Sequence, residues 1–133
     1  MPATFPTADL PLDPTAIAAD GLEVRELLRV AGGSTAHFQL TGGRTGRAVS
    51  HRTVDEVWYI VGGRGEMWRR DGTGDAVVPL QTGTCVAVLA GTTFQVRASG
   101  RDPLEAIAFT SPPWPGEDEV LPVEDGKWSP DLA

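Results

Sequence analysis

The sequence has one cysteine, Cys85, so neither an intrachain disulfide nor a zinc site built on cysteines can form. It has one lysine, Lys127, and its 11 basic residues face 18 acidic ones, for a formal net charge of −7. A basic footprint for nucleic acid is therefore missing, and no helix-turn-helix pattern is present. No apolar run approaches the roughly 18 residues that a membrane span needs, so no membrane partner is expected. The opening MPATFPTADLPLDP carries no base and no apolar stretch. A signal peptide is thus not expected, and a cytoplasmic location is. Histidine is also scarce, with only His37 and His51.

What is present is punctuation. Gly (16) and Pro (11) make up about a fifth of the 133 residues, above the ~12% norm. They are spread through the chain instead of gathering in one low-complexity block. Turn signals stand at GG 32–33, GG 42–43, GGRG 62–65, DGTG 71–74, Gly83, Gly91, SG 99–100 and PPWPG 112–116. Between them lie short runs rich in β-branched and aromatic residues: 57–61, 66–70, 76–80, 84–89, 94–98 and 104–109. This spacing predicts an all-β sandwich or barrel. GGRG reads as a tight hairpin turn. Residues 22–30 (LEVRELLRV) fit either a helix or a strand entering the sheet. Residues 1–21 read as an extended N-terminal arm, 22–111 as the barrel, and 112–133 as an extension whose Trp114 and Trp128 dock it on the barrel or on a dimer mate. Cys85, among Val86, Ala87 and Val88, reads as an inert core thiol. His37 alternates with Gln39 and Thr41, opposite Phe38 and Leu40, and so reads as a surface histidine.

The segment from Gly46 to Gly65 contains His51, Glu56, the strand Tyr59-Ile60-Val61 and Gly63 in an ordered spacing. It resembles the first motif of the cupin superfamily, G-x5-H-x-H-x3–4-E-x6-G. Gly46 sits one residue too close, and Thr53 stands at the second His. The second motif, G-x5-P-x-G-x2-H-x3-N, has a counterpart in Gly83 to Ala98. Both glycines, Gly83 and Gly91, are kept, while Leu89 replaces the Pro, Phe94 the His and Ala98 the Asn. The resemblance covers about residues 35–110. It implies a cupin-type double-stranded β-helix, a jelly-roll barrel, and by family habit a homodimer.

Family members that hold a metal use three His and one Glu. Those positions map to His51, Thr53, Glu56 and Phe94, which leaves only two good ligands. A divalent transition metal usually needs three or more protein donors. No metal or other cofactor is therefore expected, and His51 and Glu56 would be the ligands if a divalent metal were bound. Strand alternation places Glu56 and Trp58 on one face, and Phe94 and Val96 on the inward face of their strand, with Gln95 and Arg97 outward. The expected ligand-binding set is His51, Thr53, Glu56, Trp58, Phe94 and Val96, around a small organic molecule. His51 and Glu56 also admit two other readings. They can serve as an acid/base pair for an isomerase, dehydratase or lyase, or they can be a buried remnant hydrogen-bonded to itself.

Overall fold

Runs that alternate large apolar and polar residues can bury only one face, and such strands must pair and close on each other. The computed structural model, which describes residues 5–132, does this with eleven strands. These are β1 (Ala16–Ile17), β2 (Glu23–Val30), β3 (Gly33–Leu40), β4 (Val49–His51), β5 (Asp55–Gly62), β6 (Arg64–Asp71), β7 (Gly74–Gln81), β8 (Cys85–Val88), β9 (Thr93–Ser99), β10 (Leu104–Ser111) and β11 (Val120–Pro122). Residues 1–4 of the expected arm and the final Ala133 lie outside the described residues. One sheet runs β1-β2-β3-β10-β5-β8 and the other β11-β4-β9-β6-β7. All pairings are antiparallel. The two sheets face each other across a core that includes Trp58, Ile60, Met67, Leu80, Phe94 and Val96. This is the all-β jelly-roll barrel. Among the described residues no helix is long and apolar enough to cross a membrane.

Residues 22–30, readable either way, supply β2 over Glu23–Val30, because β3 offers a pairing edge on both sides of an irregularity between Glu26 and Arg29. GGRG is not a hairpin. β5 and β6 lie in different sheets, so Gly62 and Gly63 turn a corner from one layer to the other. Gly63 has φ +74° there, and a Cβ would lie 2.1 Å from the Pro103 carbonyl oxygen. Only glycine satisfies both constraints. The β6–β7 connection at 71–74, in contrast, is a true two-residue hairpin, with Asp71 opposite Gly74.

Two surface expectations are overturned. Cys85 is exposed, because β8 turns Val86 and Val88 inward and leaves Cys85 and Ala87 outside. His37 does sit on the outer face of its sheet, yet it is buried, with Nε2 3.0 Å from Glu105 Oε1. The N-terminal arm lies across this face. The carbonyls of Pro11 and Leu12 accept hydrogen bonds from Arg25, the cross-strand neighbour of His37.

The C-terminal segment covers the opposite sheet. β11 pairs with β4, and Gln95, facing outward on β9, exchanges hydrogen bonds with the Trp128 backbone at 2.8 and 3.0 Å. Arg97 also faces outward. It holds Glu66 and lies over the Trp128 ring, 4.2 Å from its centroid.

Candidate functional site

Glu56, Trp58 and Ile60 alternate inward along β5. Their partners across β10 are Thr110, Ala108 and Ala106. These small neighbours leave the two large side chains room, and the wall beside them stays open. From the other sheet, β4 contributes His51, and β9 contributes Phe94 opposite Val49. The result is a cavity of about 730 Å³ whose wall includes Phe38, His51, Glu56, Trp58, Phe94 and Trp114. Its mouth is framed by residues 16–20 before β2 and by 114–117 after β10. A site of this size and lining suits a small organic ligand.

The aromatic groups form a connected wall. The Phe38 and Trp58 rings are 5.1 Å apart, Trp58 and Phe94 6.3 Å. The His51 ring meets Phe94 edge-on at 5.2 Å and Trp114 edge-on at 5.3 Å. Trp114 is fixed from its backbone. Its N–H donates to Ser34 Oγ, and its carbonyl accepts from Arg29.

His51 is buried, and its Nδ1 has no hydrogen-bond partner. Burial pulls its pKa below the ordinary histidine value, and the charge of Glu119 offsets part of that effect. Glu56 is 2% exposed, and its Oε1 accepts a hydrogen bond from Trp58 Nε1 at 2.6 Å. Burial raises its pKa to about 7, against the Trp58 hydrogen bond and with help from the charge of Asp20. No hydrogen bond joins His51 to Glu56, so the reading of a self-satisfied remnant pair fails. Glu56 is satisfied by its own strand neighbour instead.

Two expected ligand residues lie elsewhere. Thr53 turns away from the cavity and donates its hydroxyl to Glu119. Val96 points inward but sits in the closed part of the core, away from the cavity lining. His51, Glu56, Trp58 and Phe94 do share the cavity. Three further residues belong to the site without a motif that marks them. Asp20, buried at the mouth, accepts the Leu22 N–H. Burial raises its pKa to about 6, against the hydrogen bonds of Leu22 and its own backbone and the charge of Arg47. Phe38 is marked in the sequence only by its alternation with His37, and Glu119 shapes the site from outside. Glu119 accepts hydrogen bonds from Thr53 N, Thr53 Oγ1 and Val54 N, and so pins the loop between β4 and β5. Burial alone would raise its pKa. These three bonds and the charge of His51 outweigh burial and hold it below the ordinary glutamate value.

The donor set does not fit a metal of the kind the resemblance implies. Thr53 is committed to Glu119, and Phe94 has no lone pair. Among the described residues no three His, Cys, Asp or Glu side chains converge in a group able to hold an ion.

No curated protein matches the chain. Solved structures do. A double-stranded β-helix protein from Klebsiella pneumoniae subsp. pneumoniae, itself uncharacterized, is 15% identical with TM-score 0.63, covering 78% of this chain and 85% of its own. KdgF from Halomonas sp. is 18% identical with TM-score 0.60, covering 69% of this chain and 79% of its own. Oxalate decarboxylase from Bacillus subtilis is 15% identical with TM-score 0.69. It covers 87% of this chain, which spans only 30% of that longer protein. At these identities the likeness is one of fold. A family profile described as a cupin domain matches residues 36–110, more than half of the sequence, and the chain belongs to the cupin family.

Proposed function

We propose that this cupin binds a small organic molecule in its barrel without a tightly held metal. The observation that carries the reading is the cavity of about 730 Å³, walled by aromatic rings, with a buried imidazole whose Nδ1 has no partner. An unpaired buried polar atom beside a roomy cavity supports a ligand that completes its hydrogen bonding. Trp58 and Trp114 both line the cavity, so occupancy should change tryptophan emission and raise the melting temperature. A broad small-molecule screen tests this. If no compound shifts either signal, the binding reading fails. Added Ni, Zn or Mn should leave the melting temperature unchanged, and a stoichiometric metal surviving dialysis would refute the metal-free part.

A second reading is acid/base catalysis. Glu56, held at about 7, is tuned to exchange a proton near neutral pH, with His51 in the same cavity. One structural neighbour is an oxalate decarboxylase, so enzymes occur on this fold. Under this reading both His51→Ala and Glu56→Gln abolish turnover of the substrate while the fold survives. Retained turnover in either variant removes that residue from the chemistry.

The proposal extends to a cytoplasmic homodimer. On the outer face of the six-stranded sheet, Val57, Tyr59, Val61 and Phe109 remain 40–50% exposed beside one another, an apolar surface suited to a second copy. Sedimentation should give the mass of two chains, and Tyr59→Glu should give one. A monomeric wild-type protein would refute the dimer.

A further inference from the structure

We propose that the cavity takes a small organic ammonium ion, its N–H groups directed to Asp20 and Glu56 and its apolar body held against Trp58, Phe94 and Trp114. This rests on the ligand-binding reading and gives that ligand a chemical class.

Among the described residues, two carboxyl groups in the cavity wall have acceptor oxygens without a protein donor. Asp20 and Glu56 both line the cavity and both are more than nine-tenths buried. Each uses one oxygen within the protein, Asp20 Oδ1 on Leu22 N–H and Glu56 Oε1 on Trp58 Nε1. Among the described residues no hydrogen bond reaches Asp20 Oδ2 or Glu56 Oε2. Of the lining donors, the Trp58 N–H is fixed on Glu56, and the Ser34 and Thr110 hydroxyls share one hydrogen bond at 2.6 Å. A carboxyl oxygen in the cavity wall that no protein donor occupies can accept the N–H groups a ligand brings.

The charge of the lining points the same way. Asp20, Glu26, Glu56 and Glu117 face one guanidinium, that of Arg29, which is turned to the Trp114 carbonyl at 2.8 Å. Arg47, whose charge acts on Asp20, borders the neighbouring groove instead and donates to the Leu132 carbonyl. A carboxylate or phosphate ligand would find like charge and no inner cation, whereas an ammonium finds opposite charge on entry and at its seat. The lining rings of Phe38, Trp58 and Phe94 have negative π faces, which favour a cation over an anion wherever a face meets the ligand.

Three probes with one ring and three head groups test this on the full chain: benzylammonium, benzyl alcohol and benzoate. Tryptophan emission and calorimetry should show benzylammonium binding roughly tenfold or more tightly than benzyl alcohol, and benzoate not binding. Asp20→Asn and Glu56→Gln keep the acceptors for Leu22 and Trp58 and should collapse the preference for the ammonium. Unchanged near-ultraviolet circular dichroism in both variants separates that loss from misfolding. If the alcohol matches the ammonium, or benzoate binds best, the ammonium assignment is overturned while ligand binding stands. If none of the three binds at millimolar concentration, the assignment is overturned and the broad screen alone decides the binding reading.

Discussion

At about pH 8, Glu56→Gln is expected to melt roughly 10 °C above the wild-type protein, and near pH 4 the two should melt together. The cause is a carboxyl group removed from water with no cation to compensate it. In the unfolded chain Glu56 titrates near its ordinary 4.5, and in the folded chain at about 7. Its folded pKa is raised, so its contribution to stability is complete below 4.5 and is lost as pH rises through about 7. A shift of this size corresponds to about 3 kcal/mol. Gln carries no charge, keeps an oxygen for Trp58 Nε1, and escapes the loss. Asp20 acts in the same direction over a lower window, from 3.8 to about 6. The wild-type protein should therefore lose stability steadily from mildly acidic to mildly alkaline pH. Thermal melts of both chains across this range check the point. Equal melting at pH 8 would mean that Glu56 is not held above its ordinary pKa.

Glu119→Ala is expected to destabilise the fold by about 3 kcal/mol, because it strips three hydrogen bonds from the loop between β4 and β5. The N–H groups of Thr53 and Val54 would be left without acceptors, and Val54 is wholly buried. His51, one residue before this loop, would lose its fixed position against Trp114. Denaturant titration measures the loss. Glu119→Gln should recover part of it, since an amide oxygen still accepts. The pH dependence has the opposite sign to that of Glu56. The folded pKa of Glu119 is depressed, so its contribution is present above 4.5 and fades as pH falls through its folded value. The gap between wild type and Glu119→Gln should therefore narrow in acid. A gap that holds constant down to pH 3 would show that the negative charge is not what holds the loop.

Local pattern carried much of this molecule. The alternation of Glu56-Val57-Trp58 and of Phe94-Gln95-Val96 put the correct side chains inside, because strand period alone decides the face. Motif spacing brought His51, Glu56 and Phe94 into one cavity despite their distance along the chain. What stayed illegible depends on contacts between remote segments. Asp20 reads in the sequence as one more acid of an extended arm, and only the fold sets it in the cavity wall. Thr53 matched a ligand position in the motif, yet Glu119, 66 residues later, captures its hydroxyl. His37 had the outward parity it was given, but parity does not reveal that an arm will lie across that face. GGRG carried the composition of a hairpin, and only the sheet assignment of β5 and β6 shows it to be a corner. Cys85 shows the reverse, since its apolar neighbours in the sequence suggest burial while alternation sends the thiol outward.

The clamp from Glu119 and the docking of Trp128 both come from the last stretch of the chain. During synthesis, then, a nascent polypeptide that has just completed β10 has every strand except β11 and lacks the strap that fixes the His51 corner. Ligand competence should therefore appear only once residues 117–128 have also left the ribosome.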